Sequence, residues 1–145
     1  MLIFKIVLFT FFILYSPQTT NSSPLLNELY INPIHQNKPI AIIFYNSLNP
    51  CQNCNNAITI TTDILRKNYY NQIKLYLIDL NNHPEFISTF KLKGPLNLVI
   101  IKISDKASFG YKKITGLQSK TEDIISLNQL ITNIFSNFLN IYPQN

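Results

Sequence analysis

From residue 40 onward, short unbroken apolar runs alternate with stretches whose apolar residues recur at helical intervals. The run 40–45 (IAIIFY) is continuous and Ile-rich, the pattern of a strand buried on both faces. A turn-rich loop follows over 46–50, with Asn49-Pro50 just ahead of Cys51. Beyond it apolar residues stand at 58, 60, 64 and 65 on the way to Tyr69. The β-branched stretch 58–62 (ITITT) argues for strand, but the Asn-Pro pair before the cysteine is a good helix start, so the pattern predicts a helix opening at Cys51. The run 74–80 (KLYLIDL) predicts a second buried strand ending in the polar Asn81-Asn82-His83. Pro84, Phe86, Ile87, Phe90 and Leu92 predict a short helix, broken by Gly94 and Pro95. A third strand over 96–104 (LNLVIIKIS), a turn over 105–108 and a fourth strand over 109–114, closed by Gly116, make a hairpin. Finally Ile124, Leu127, Ile131, Ile134, Phe135 and Phe138 mark one face of a closing amphipathic helix that starts through Thr121-Glu122-Asp123. The order is β, α, β, α, β, β, α, an α/β pattern without internal repeats.

The first residues follow a different rule. Lys5 precedes an apolar run from Ile6 to Leu14, broken only by Thr10, and then Pro17 and a polar QTTNSS stretch. A charged start, a short apolar middle and a small polar end make a secretory signal over 1–22, with cleavage near Thr20 to Ser23. The run falls short of the ~20 residues of a membrane span, so removal is expected rather than permanent anchoring. Left uncleaved, the segment would give a transient membrane association. A proline-bearing linker over 23–38 then leads to a domain over 39–140 and a tail over 141–145.

Composition narrows the class. The chain has 145 residues, 46% hydrophobic and 13% charged, enough apolar content to build a core and too few charges for disorder. The length suits one globular unit. The formal charge of +5 comes from lysines scattered between Lys38 and Lys120, which reads as solubility; no nucleic acid is expected as a partner. Ile and Asn are abundant, whereas Ala stands only at 41, 57 and 107 and Gly only at 94, 110 and 116. Such usage is the mark of AT-rich codon drift, so isolated Asn residues carry little weight.

The candidate chemistry lies in the two cysteines, Cys51 and Cys54, the only ones in the chain. Export would place them in an oxidising compartment. A pair three residues apart closes too small a loop to stabilise a fold, so its use is chemical. In thiol–disulfide exchange a thiolate attacks a disulfide sulfur and a second thiol at close range resolves the mixed disulfide. Spacing of three on a first helical turn would expose Cys51 as nucleophile and shield Cys54 as resolver, with the helix terminus lowering the Cys51 pKa modestly below that of a free thiol. A structural disulfide without turnover is the plainer alternative. A closed zinc site needs four ligands, and the remaining imidazoles, His35 and His83, are irregularly spaced from the pair, so neither metal nor cofactor is expected. Asp79, at the end of the second strand, is most simply a helix or loop cap, although it could shuttle protons to the cysteines.

A Cys-x-x-Cys directly after the first buried strand, with a strand hairpin and a final helix behind it, resembles the thioredoxin-like fold over roughly residues 37–139. The resemblance implies a central mixed four-stranded sheet flanked by helices. Within that fold the chain is most similar to the bacterial thioredoxin-like family labelled nitrophenyl compound nitroreductase subunit ArsF, through Phe44-Tyr45, Cys51-Gln52-Asn53-Cys54, Asp79, Phe86 and Phe90. It departs from ordinary thioredoxins at several points. Pro50-Cys51-Gln52-Asn53-Cys54 replaces Trp-Cys-Gly-Pro-Cys, and the chain has no tryptophan. The buried acid that relays protons six residues before the first cysteine is matched by Tyr45. The cis-proline facing the cysteines is matched, without gaps, by Leu96, one residue after Pro95. The supporting residues implied are therefore Pro50, Gln52, Asn53, Tyr45, Pro95 and Leu96.

Together these features predict an exported protein-disulfide oxidoreductase whose partners are protein thiols or disulfides and an upstream thiol electron donor. Between Lys38 and Asp63 the only ionisable side chains are Tyr45 and the cysteines. A thiolate so weakly assisted implies a potential nearer ~ −270 mV than the ~ −120 mV of a strong oxidant, hence a reductant or electron relay. The alternative is a non-catalytic binding module on the same fold, or a subunit of a membrane-associated redox complex.

Overall fold

The computed structural model describes residues 38–103 and 109–145. The expected signal segment, all but the last residue of the expected linker, His35 and the turn at 105–108 lie outside those residues.

Four strands form one mixed sheet in the order β2-β1-β3-β4: β1 (Ile40–Tyr45), β2 (Lys74–Asp79), β3 (Asn97–Ile103) and β4 (Phe109–Thr115). β1 is parallel to β2 and antiparallel to β3, and β3 is antiparallel to β4. The continuous Ile-rich run of β1 follows from its place inside the sheet, where both faces are covered. Ala41 and Ile43 face a core shared with α1 (Cys54–Tyr69) and α4 (Ile124–Ile134). Ile42 and Phe44 face a second core beneath α2 (Glu85–Thr89), where Phe44, Phe86 and Phe90 gather with ring centroids 5.3 to 5.9 Å apart.

The β-branched stretch 58–62 is helical. The buried residues of α1 are Cys54, Ala57, Thr61, Thr62, Leu65 and Tyr69, a stripe at helical spacing, so burial overrides local propensity. Arg66 and Lys67 in its last turn suit the negative end of the helix dipole.

Three expectations are corrected. The second strand is not buried: β2 is the sheet's edge among the described strands, Ile78 is its only buried residue, and Leu77 is exposed. The first helix begins at Cys54 rather than Cys51, because 51–53 form a turn closed by the Cys54 N–H on the Cys51 carbonyl at 3.2 Å. A short helix, α3 (Leu117–Lys120), intervenes before the closing helix. Gly116 makes that turn with φ +63°, and the Leu117 N–H bonds the Leu96 carbonyl at 3.2 Å.

The closing helix starts at Ile124, capped by Asp123, whose carboxylate accepts from the Ser126 N–H at 3.1 Å. It runs on into a π-helical turn, Phe135–Leu139. Leu127, Ile131 and Phe135 are buried, whereas Ile124 is half-exposed. Tyr69 and Phe135 stack with ring centroids 4.1 Å apart, joining the far end of α1 to the closing helix. The last residues return to α1, with Gln144 N–H donating to the Asn68 carbonyl at 2.8 Å.

Candidate redox site

The cysteines follow from where β1 ends. After Tyr45 the chain leaves the sheet, and Asn46 turns it by accepting from the N–H groups of Leu48 (3.1 Å) and Asn49 (3.0 Å) through its side-chain oxygen. Residues 47–50 are exposed, and the backbone then drops to Cys51. Cys51 and Cys54 form a disulfide with a Cα–Cα distance of 5.1 Å. The Cys51 N–H also donates to Cys54 Sγ at 3.3 Å.

The two sulfurs have unequal surroundings. Cys54, the first residue of α1, is 5% exposed and belongs to the core cluster with Ala57, Leu96 and Leu98. Cys51 is half-buried at the rim of that cluster, and Gln52 and Asn53 between the cysteines are exposed. A reagent from solution meets Cys51 first. Because α1 begins at Cys54, Cys51 stands ahead of the helix terminus and not on its first turn.

The facing segment comes from the start of β3. Phe44 pairs with Asn97, so the antiparallel register brings residues 94–96 to the end of the sheet from which the cysteine loop leaves. Leu96 is fully buried in the same cluster as Cys54, and Pro95 just before it is half-buried. The Gly94–Pro95 bond is trans, as are all peptide bonds among the described residues. Ahead of that segment, the end of α2 is tied to β4 by Lys113, whose Nζ donates to the carbonyls of Phe90 (3.2 Å) and Lys91. Tyr45, at the position of the thioredoxin acid, is partly buried against the same cluster. Tyr45, Cys51, Cys54 and Leu96 thus meet one core cluster, while Pro50, Gln52 and Asn53 lie on the exposed loop above it.

Asp79 has a definite place. Tyr45 pairs with Asp79, so the carboxylate stands beside the strand end that leads to the cysteines. Its Oδ1 accepts from the Ser47 N–H (3.2 Å), the Asn81 N–H (3.0 Å) and Asn81 Nδ2 (3.0 Å), and Asn81 Nδ2 also reaches Ser47 Oγ at 2.9 Å. The hydrogen bond from the Ser47 side chain is the largest cause holding the carboxyl below the usual range; burial opposes it, and the bonds from Asn81 and the Ser47 backbone add to the lowering. Ser47 and Asn81 were not singled out by the sequence; the signal was a polar Asp-x-Asn following a strand opposite an Asn-Ser turn. His83 lies against Glu85 at the start of α2, Nδ1 to Oε1 3.4 Å. No group of three or more His, Cys, Asp or Glu side chains among the described residues is gathered as a metal centre.

No family model and no curated protein matches the chain. Solved structures do. Plasmodium falciparum thioredoxin aligns with a TM-score of 0.55 at 17% identity, over 82% of this chain and 82% of that one. The germline-specific thioredoxin Deadhead of Drosophila melanogaster gives 0.54 at 16% identity, over 76% and 92%. Mitochondrial thioredoxin 3 of Saccharomyces cerevisiae, in its oxidized form, gives 0.53 at 20% identity, over 74% and 89%. The fold is thioredoxin-like. Its mixed sheet with the Cys-x-x-Cys pair after the central strand, joined as a disulfide, is consistent with thiol–disulfide exchange.

Proposed function

We propose that this chain is an exported thiol–disulfide oxidoreductase, acting on partner proteins through Cys51 and Cys54 as a reductant or electron relay. The observation that carries the reading is the disulfide between a half-buried Cys51 and a buried Cys54 at the end of the central strand of a thioredoxin-like fold.

The cycle starts from the oxidised pair. One thiolate of a donor dithiol attacks Cys51 Sγ, the Cys51–Cys54 bond breaks, and Cys54 leaves as thiolate. The donor's second thiol attacks its own sulfur in that mixed disulfide and releases Cys51, so two electrons and two protons have entered. The Cys51 thiolate then attacks a partner's disulfide and one partner sulfur departs as thiolate. Cys54 attacks Cys51 Sγ, frees the second partner thiol and restores the original bond. Gln52 and Asn53 form the neutral turn over which the partner passes, Pro95 is the half-buried residue of the facing segment, and Leu96 packs behind Cys54 in the core.

Reduction of insulin with dithiothreitol tests the reading: the native chain is expected to accelerate it and the Cys51→Ser variant to lose that acceleration, whereas equal rates for both would refute it. Direction is tested by equilibration with glutathione buffers. A potential above about −150 mV would indicate a disulfide-introducing oxidant instead. Export is tested by alkaline phosphatase fused after residue 25, which is expected to be active; an inactive fusion retained in the cytosol would overturn it. The narrower likeness to the family named for a nitrophenyl compound nitroreductase subunit rests on the residues quoted above and contributes no step to this cycle.

A further inference from the structure

We propose that Asp79, through Ser47 and Asn81, is a positioning residue that fixes the segment carrying Cys51 and thereby sets the stability of the Cys51–Cys54 disulfide. The proposal rests on the reading of Cys51 and Cys54 as a redox pair.

The two cysteines are held by different means. Cys54 is the first residue of α1 and sits in the core, so the helix fixes its sulfur. Cys51 follows the exposed loop 47–50, which has no packed core of its own. Two devices restrain that loop. Asn46 folds its first turn locally, through the Leu48 and Asn49 N–H groups. Asp79 ties it to the rest of the protein, receiving the Ser47 N–H at 3.2 Å while Asn81 Nδ2 binds both Asp79 Oδ1 (3.0 Å) and Ser47 Oγ (2.9 Å). Asp79 is itself placed by the β1–β2 register, reinforced by the Leu80 N–H donating to the Tyr45 carbonyl at 2.8 Å. A line of bonds thus runs from β2 across the end of β1 to the loop four residues before Cys51. Charge suits the carboxylate to this place, because bonds to an ionised acceptor are stronger than neutral ones.

The consequence follows from effective concentration. Formation of the disulfide from the dithiol depends on how often Cys51 Sγ meets Cys54 Sγ, and a loop freed at Ser47 lets Cys51 explore more positions. The oxidised form then loses part of its advantage over the reduced one. The Asp79→Ala variant, equilibrated as the full chain with reduced and oxidised glutathione and read by alkylation and mass spectrometry, is expected to shift the dithiol–disulfide constant toward the dithiol about tenfold. For two electrons that is a rise of ~30 mV. Asp79→Asn keeps an oxygen able to accept from the Ser47 and Asn81 N–H groups and is expected to restore most of the difference. Asn81→Ala, which leaves the carboxylate in place, is expected to shift the constant in the same direction by less, and it serves where Asp79→Ala does not fold.

A role confined to general stability would lower the unfolding temperature of both redox states and leave the constant alone. A constant within twofold of the native value in Asp79→Ala, or in Asn81→Ala should the first not fold, overturns the proposal, as does Asp79→Asn behaving like Asp79→Ala. The equilibrium uses glutathione and no protein partner. It therefore still reads the effect of Asp79 should insulin reduction fail, and the two outcomes stay distinct.

Discussion

When the reduced protein is treated briefly with iodoacetamide at neutral pH, Cys51 is expected to be alkylated about thirty times faster than Cys54. The ratio follows from what must move. Cys51 is half-buried at the rim of the core, on a turn outside any helix, and needs no unfolding to be reached. Cys54 is 5% exposed among Ala57, Leu96 and Leu98, so a reagent reaches it only when the first turn of α1 unwinds and leaves the cluster. A local opening of that size costs on the order of 2 kcal/mol, between the near-zero cost of frayed ends and that of global unfolding. At 1.4 kcal/mol per factor of ten in an equilibrium constant, the reactive population of Cys54 is about thirtyfold smaller. A thiol in apolar surroundings is also less ionised, which acts in the same direction. Peptide mass spectrometry over a time course gives both rates, and the Cys51→Ser and Cys54→Ser variants give each rate alone. Rates within threefold of each other, or faster labelling of Cys54, would refute the reasoning and reverse the assigned roles.

Other outcomes are expected from the packing and the charges. Phe135→Ala removes a fully buried ring stacked on Tyr69 at 4.1 Å, and urea unfolding with the disulfide intact should show a loss of about 3 to 5 kcal/mol; less than about 1 would place the ring outside the core. Gly116→Ala forces a β-carbon onto a φ of +63°, for a loss of about 1 kcal/mol by the same measurement, with no contact closer than 3.5 Å to add to it. The Asp123 carboxyl is held below the usual 3.8, first by the Ser126 N–H and then by its hydroxyl, and Asp79 is lowered as well. Groups lowered on folding stabilise the protein above that value and lose the contribution as pH falls through their folded values, so stability should drop below about pH 4 and Asp123→Asn should flatten the drop. The Tyr69 hydroxyl is pushed up by burial, partly offset by its bond to Thr132. Its contribution is present below pH 10 and lost as pH rises toward the folded value, so Tyr69→Phe should weaken the alkaline dependence of unfolding.

The fold was legible where a single physical demand governed a segment. The run 40–45 has to be a strand buried on two faces, and the stripe Leu127, Ile131, Phe135 has to face a core. The pattern misled where apolar residues meet water. KLYLID carries apolar residues on both faces, like β1, yet among the described strands it lies at the edge of the sheet, which depends on strand order and not on the segment's own letters. The start of α1 was misplaced by three residues because Pro50 marks the end of the loop, while the turn at 51–53 is closed by a backbone bond with no side-chain signature. The cysteine pair itself was plain. Its support was not, because Asn46 and Asn81 look like two more residues of an Asn-rich chain until the backbone folds and their amides find partners. Abundance makes each Asn look ordinary, but position decides which copies bond.

The lysines of β4 bear on how the molecule behaves when crowded. A strand that pairs on one side offers its other side to a second chain, and edge-to-edge pairing of this kind seeds aggregation. Among the described strands β4 pairs with β3 alone, and it carries Lys112 and Lys113. Two copies brought together edge to edge at β4 would set lysine near lysine, so like charge works there against the growth of one sheet onto another.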